Sequence, residues 1–309
     1  MFIENALKIK NDSWRYVIGC FIIFIATQIG SIPFVFAIFD KASSKLSSKL
    51  DPAKMMTILE NSNLTLFYVL LPYVAGMIGI LIVIKFIHEQ SFKGLTTTRK
   101  KVDFYKVLHS FIIAISIVLL STSFSYIFYT EDYIINFDLK KFALLFIISL
   151  IFLPIQTSWE EYVFRGYLMQ GIGVFFRNRW IPLFLTSLMF GLLHYWNPEV
   201  TKLGTILLIH YFFTGLFLGI LTVMDDGMEL SLGFHAGNNF MISILVTADW
   251  TVLQTDSILK SIGEPQTGSI LLPVFLIYPL LILYFSKKYN WEDLYNKIFG
   301  KIHLGNKNL

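Results

Sequence analysis

The chain has 309 residues, of which 55% are hydrophobic and only 15% charged, with a mean hydropathy of +0.63; ordinary soluble domains are roughly 45–50% apolar and about 25% charged. That balance excludes a soluble enzyme, and apolar runs of some 20 residues exclude a transmembrane barrel, whose strands are short and alternating. The net charge of +4 is modest and sits mostly in loops, so it offers nothing to nucleic acid, and the single Cys20 excludes an intramolecular disulfide or a cysteine-built metal cluster.

In chain order the apolar runs predict about eight membrane helices, at 16–39, 64–87, 104–129, 142–171, 181–196, 203–224, 229–248 and 269–286. The expected fold is all-α: one polytopic membrane domain over 1–309 with its motifs in a core of about 142–248. The first run exceeds the 7–15-residue core of a signal peptide, which reads as a retained span. The fourth is about 30 residues long with Pro154 inside it, which predicts a kink, a tilt or an extension beyond the bilayer. The connectors at 41–62 and 249–268 read as polar, and Asp225-Asp226-Gly227 as a tight turn. Lys and Arg concentrate in the N-terminal tail, the 88–106 connection, Arg177 and Arg179, and the C-terminal tail. By the positive-inside rule both termini are expected in the cytoplasm.

Charge inside a span costs about 2.5–3.5 kcal/mol, so an intramembrane ionisable group is a functional-site hypothesis by default. The fourth span carries Glu160, Glu161 and Arg165 within six residues. At about 100° per residue Glu161 and Arg165 share a face and can pair, while Glu160 projects elsewhere and is expected to be the free carboxylate. Two adjacent carboxylates cannot both ionise cheaply in a low dielectric, so one is expected to keep a proton, a state suited to acid or base work. The bland alternative is an interfacial ion-pair cluster. The fifth span adds Phe190 and His194, and the seventh His235 and Asn239 at i, i+4. Counted from the cytoplasmic helix ends these groups lie inside the membrane, most within its cytoplasmic half, where they could line one cavity. His210 reads as a packing hydrogen bond; His88 and His109 read as solvated.

No serine or cysteine stands beside a base in the right setting, which disfavours a covalent acyl intermediate. A glutamate and a histidine can activate water, and a second histidine with an asparagine amide can donate to an oxyanion. Glu160, His194 and His235 could instead hold zinc. The sequence has no HExxH motif to support that choice.

The ordered triple EExxxR (Glu160, Glu161, Arg165), FxxxH (Phe190, His194) and HxxxN (His235, Asn239) resembles the CAAX-protease and bacteriocin-processing family, also called Abi or CPBP, over about 142–248. The resemblance implies an eight-helix intramembrane endopeptidase whose cavity admits a membrane-associated peptide or protein. It further implies that Glu160 and His194 activate water, His235 and Asn239 form the oxyanion hole, and Glu161 and Arg165 support the site. The expected chemistry needs no cofactor. A proton-coupled transporter would be expected to show internal repeats, and none is seen. A non-catalytic immunity or scaffold protein could keep the same fold. Substrate and oligomeric state are not legible.

Overall fold

The computed structural model describes residues 1–42, 57, 59–265 and 267–302; most of the 41–62 connector lies outside the described residues. Every apolar run becomes a helix. They are α1 (Ser13–Ala42), α2 (Ser62–Ile82, prolonged by a π-helical turn Val83–Ile87), α3 (Phe104–Phe128), α4 (Leu139–Glu161), α5 (Met169–Phe176), α6 (Trp180–Leu193), α7 (Ile206–Met224), α8 (Glu229–Leu245) and α9 (Tyr278–Lys288, preceded by the π turn Pro273–Ile277). The starts follow local chemistry: Asp103 accepts from the Tyr105 and Lys106 N–H groups at the head of α3, and Asp138 accepts from Lys141 N–H at the head of α4.

Five of these helical stretches are long and apolar enough to cross a membrane: Ser13–Lys41, Ser62–Ile87, Phe104–Phe128, Leu139–Phe176 and Ile206–Met224. Large apolar side chains such as Val17, Phe21, Phe24 and Phe36 of α1 and Leu120, Phe124 and Ile127 of α3 face outward, an arrangement stable only in lipid. The protein is an all-α integral membrane protein. The fourth span resolves its expected irregularity as an extension. α4 runs into a π-helical segment, Tyr162–Leu168, and on into α5, making one 38-residue stretch.

The helices pack where side chains are smallest. On α8, Gly233 and Gly237 are one turn apart, and a Cβ at either would lie 2.0 Å or 2.4 Å from the Val107 or Phe111 carbonyl oxygen of α3. This small-xxx-small stripe brings the two backbones together. Gly191 and Gly215 play the same part between α6 and α7, with added Cβ atoms 3.0 Å from Phe212 N and 3.1 Å from Ser187 Cα. At one end of the bundle a small sheet forms in the order β1-β3-β2, from β1 (Tyr133–Ile135), β2 (Val246–Thr247) and β3 (Leu259–Ser261). β1 is antiparallel to β3 (Tyr133 opposite Ser261) and β2 parallel to it (Val246 opposite Leu259). The 249–268 connector, expected to be merely polar, thus contributes a strand.

The opposite end is fastened around the α7–α8 turn, which forms as expected, with Asp226 in the left-handed region at φ 54°. Asp225, almost fully buried, accepts from Arg99 (2.8 Å), Lys106 (2.7 Å) and Trp291 Nε1 (3.1 Å). Asp226 accepts from the Phe2 amide at 3.0 Å and from Lys297 at 2.8 Å. Both terminal segments therefore meet at this one end, and a hollow of about 390 Å³ beside them is lined by Arg99, Lys106, Asp225, Tyr289 and Trp291 among others.

Two histidines depart from the sequence reading. His88 is fully buried, with Nδ1 2.6 Å from the Lys10 carbonyl oxygen and Nε2 2.8 Å from the Tyr167 hydroxyl. His109 holds two tyrosine hydroxyls, Tyr289 at 2.6 Å and Tyr284 at 3.0 Å. Neither is a solvated loop residue, because the N-terminal segment covers the first and the end of α9 covers the second. His210 does make the expected packing bond, Nδ1 donating to the Ile270 carbonyl at 2.9 Å.

The tight α3–α8 contact is testable. Gly237→Ala places a methyl 2.4 Å from the Phe111 oxygen and is expected to cost about 1–3 kcal/mol by overpacking, whereas Gly268→Ala meets open space and should leave stability unchanged. Thermal unfolding in detergent distinguishes them; equal midpoints would mean that α8 does not depend on this approach.

Candidate active site

Three elements bring the motif residues together. Glu160 and Glu161 end α4, Arg165 lies in the π-helical segment that follows, and His235 and Asn239 lie about 9 Å and 15 Å along α8 from Glu229. Single π turns inside α-helices often accompany functional sites, and here the π segment begins directly after the two carboxylates.

Glu161 and Arg165 are fully buried and paired, Arg165 Nη1 donating to Glu161 Oε1 at 2.9 Å. The guanidinium has two further partners. Its Nη2 donates to the Gly215 carbonyl of α7 at 3.1 Å, and its plane lies over the Phe190 ring of α6 at 4.4 Å. The same Glu161 oxygen accepts from His235 Nδ1 at 2.9 Å. Because a carboxylate engaged by arginine only accepts, Nδ1 carries the hydrogen, and Nε2 is turned toward Glu160 Oε2 at 3.4 Å. His235 thus bridges the two glutamates.

Glu160 is not the free carboxylate that helical geometry alone predicts. Its Oε2 faces His235, and its Oε1 accepts from Gln156 Nε2 at 2.6 Å. Gln156, one turn before Glu160 on α4, was not singled out by the sequence reading. An uncharged amide carries no strong membrane penalty, so the i, i+4 spacing to Glu160 was its only signal. Its other end accepts from Asn239 Nδ2 at 3.3 Å, and Asn238 Nδ2 donates to Asn239 Oδ1 at 3.2 Å.

His194 stands apart. It terminates α6, its Nδ1 donates to the Phe190 carbonyl at 2.7 Å, and its ring stacks on Tyr211 at 4.0 Å and 22°. Since the carbonyl fixes the hydrogen on Nδ1, Nε2 presents its lone pair. Phe190 joins this histidine to the rest, its ring centroid lying 4.8 Å from His194 and 6.0 Å from His235. No hydrogen bond links His194 to Glu160. The side chain of Glu160 keeps 12% of its exposure, and His194 and Asn239 are half-buried. Among the described residues no three His, Cys, Asp or Glu side chains converge as a metal site; Glu160, His194 and His235 do not fit one.

Each carboxylate thus has a partner inside the protein, Glu161 in Arg165 and His235 and Glu160 in His235 and Gln156, the condition under which such groups are tolerable in a low dielectric. The arrangement can hold one carboxylate at an accessible edge, a neutral imidazole with a free lone pair, and two N–H donors beside them.

Residues 139–241 match the family described as type II CAAX prenyl endopeptidase Rce1-like. The uncharacterized protein YyaK of Bacillus subtilis is 27% identical over 288 residues, covering 90% of this chain and 94% of that relative. No solved structure matches. All three motifs lie within the matched segment. Over the segment that carries the site the chain is similar to the Rce1-like family, and the resemblance to the CAAX-protease and bacteriocin-processing family drawn from those motifs is borne out.

Proposed function

We propose that the protein is an intramembrane endopeptidase that cleaves a membrane-associated peptide or protein by direct attack of water. The observation that carries this reading is the convergence of Glu160, Glu161, Arg165 and His235 on one buried cluster in which Glu160 keeps some exposure. Glu160 takes a proton from water held between it and His194 Nε2, and the hydroxide adds to the scissile carbonyl carbon. The carbonyl oxygen, now an oxyanion, accepts from Asn239 Nδ2 and His235 Nε2. Glu160 then returns its proton to the departing nitrogen as the C–N bond breaks, leaving a carboxyl and an amine. Glu161 and Arg165 take no part in the bond changes. They hold His235 through its Nδ1–H, which aims Nε2 at the site.

Glu160→Gln removes the base while keeping size and hydrogen-bonding capacity, and is expected to abolish cleavage with normal insertion and thermal stability. The assay uses purified protein in liposomes with an internally quenched peptide bearing a prenylated CAAX end, beside unlipidated hydrophobic peptides. Cleavage by the variant at the wild-type rate would sink the assignment, and a wild-type protein that binds these peptides without cutting them would point to the scaffold or immunity reading.

The chemistry as proposed runs without a cofactor, and the donor geometry supports this. Activity should survive prolonged chelation, with no stoichiometric metal by mass spectrometry. Zinc lost and regained together with activity would instead make Glu160, His194 and His235 ligands.

The membrane is proposed to be a bacterial cytoplasmic membrane with both termini inside, supported by the Lys and Arg distribution and by the meeting of both terminal segments at one end of the bundle. In a Cys20→Ser background, Phe137→Cys and Ile262→Cys, at the sheet end, should react with an impermeant thiol reagent added outside intact cells, and Thr98→Cys should not. The reverse pattern would invert the protein.

A further inference from the structure

A side-chain amide can donate or accept depending on which way it is flipped, and an asparagine serving an oxyanion must present its NH2. The polarity of the amides around Asn239 is dictated from one fixed point, the Glu160 carboxylate. Its Oε2 faces His235, and its Oε1 accepts from Gln156 Nε2 at 2.6 Å. The Gln156 carbonyl oxygen then points the other way, where it accepts from Asn239 Nδ2 at 3.3 Å. On the far side of the same amide, Asn238 Nδ2 donates to Asn239 Oδ1 at 3.2 Å. Flipping Asn239 would set its oxygen against the Gln156 oxygen, a repulsive contact in place of a hydrogen bond, and would oblige Asn238 to turn its own amide as well. Gln156 cannot turn to relieve the contact without losing the short bond to the carboxylate. Asn239 Nδ2 has two hydrogens, and one of them remains for substrate.

We infer that Gln156 and Asn238 are positioning residues that lock the Asn239 amide donor-side toward the reacting carbonyl, with the polarity of the lock set by Glu160. The residue that deprotonates water and the residue that stabilises the resulting oxyanion are thereby held in one hydrogen-bonded chain. This rests on the proposed protease reading, and neither residue touches the reacting atoms.

Double-mutant cycles on the quenched-peptide assay test it, with kcat and KM measured separately and thermal midpoints recorded in detergent. Asn238→Leu should lower kcat by about ten-fold, the scale of one net hydrogen bond, with KM and midpoint close to wild type. In an Asn239→Ala background, itself expected to lose about 10²–10³ in kcat and read in long single-turnover incubations, Asn238→Leu should cost nothing more. Gln156→Leu should cost more than Asn238→Leu, because it also releases Glu160. Gln156→Glu supplies the conservative test: ionised, it sets oxygen against Glu160 Oε1 and should be inactive, and it should regain activity as pH falls and the new carboxyl gains a proton that can be donated. Losses that multiply in the Asn238→Leu, Asn239→Ala double variant, or a Gln156→Glu pH profile parallel to wild type, would overturn the lock while leaving the protease reading intact if Glu160→Gln is inactive. Full activity in Glu160→Gln, or no cleavage by wild type, would overturn both.

Discussion

The rest of the site depends on a fully buried arginine. Arg165 lies in a span, at zero exposure, and a guanidinium there is tolerable only if its charge is met within the protein. Glu161 supplies the charge from one turn away, the Gly215 carbonyl and the Phe190 ring add contacts, and His235 shares the Glu161 Oε1, while Arg165 Nε and Glu161 Oε2 are buried without a hydrogen-bond partner. Those partners come from four elements, α4, α6, α7 and α8. A buried ion pair of this kind need not add stability over an apolar core. What it does is fix the rotation and depth of each helix, since a slip of one residue in any of them would strand a charge in a low dielectric.

The two adjacent glutamates, identical in sequence context, are given different work by that arrangement. Glu161 is sealed, its Oε1 accepting from a guanidinium and an imidazole. Glu160 is held by softer partners, the Gln156 amide and a long 3.4 Å contact to His235 Nε2, at the edge that stays accessible. Helical geometry separates the two side chains by about 100°, and the packing of α8 against that corner makes one structural and leaves the other able to exchange protons. His235 reaches both because Gly233 and Gly237 let α8 sit close to α3, which sets how far its imidazole can extend toward α4.

The parts legible in the sequence were those whose burial is expensive. Glu160, Glu161, Arg165, His194, His235 and Asn239 were conspicuous because a polar group inside an apolar run demands a reason, and the i, i+4 pairing of Glu161 with Arg165 followed from helical spacing alone. A neutral amide carries little such penalty: Asn239 was found by its i, i+4 spacing from His235, and Gln156 and Asn238, outside the motifs, were missed. Gly233 and Gly237 were missed because glycine has several uses in a membrane helix, and only the neighbouring backbone tells which applies. His88 and His109 were misread for a related reason: each lies where a run ends, and the segments that bury them, the N-terminal stretch and the end of α9, are distant in sequence. The π-helical segment after Glu161 has no sequence mark beyond the helix being longer than a bilayer needs.

The position of His194 follows from helix length. A hydrocarbon core of about 30 Å takes some 20 helical residues, but α6 has 14 and ends at His194, after which the chain passes through a 3-10 turn (His194–Trp196) and a short helix (Pro198–Leu203) before α7 begins. Non-helical backbone at membrane depth is tolerated only where protein covers it or water reaches it. The close packing of Gly191 on α7 supplies some of that cover, while Tyr195 and Trp196 remain exposed. The early end of α6 thereby frees the His194 ring to stack on Tyr211 instead of continuing a helix face.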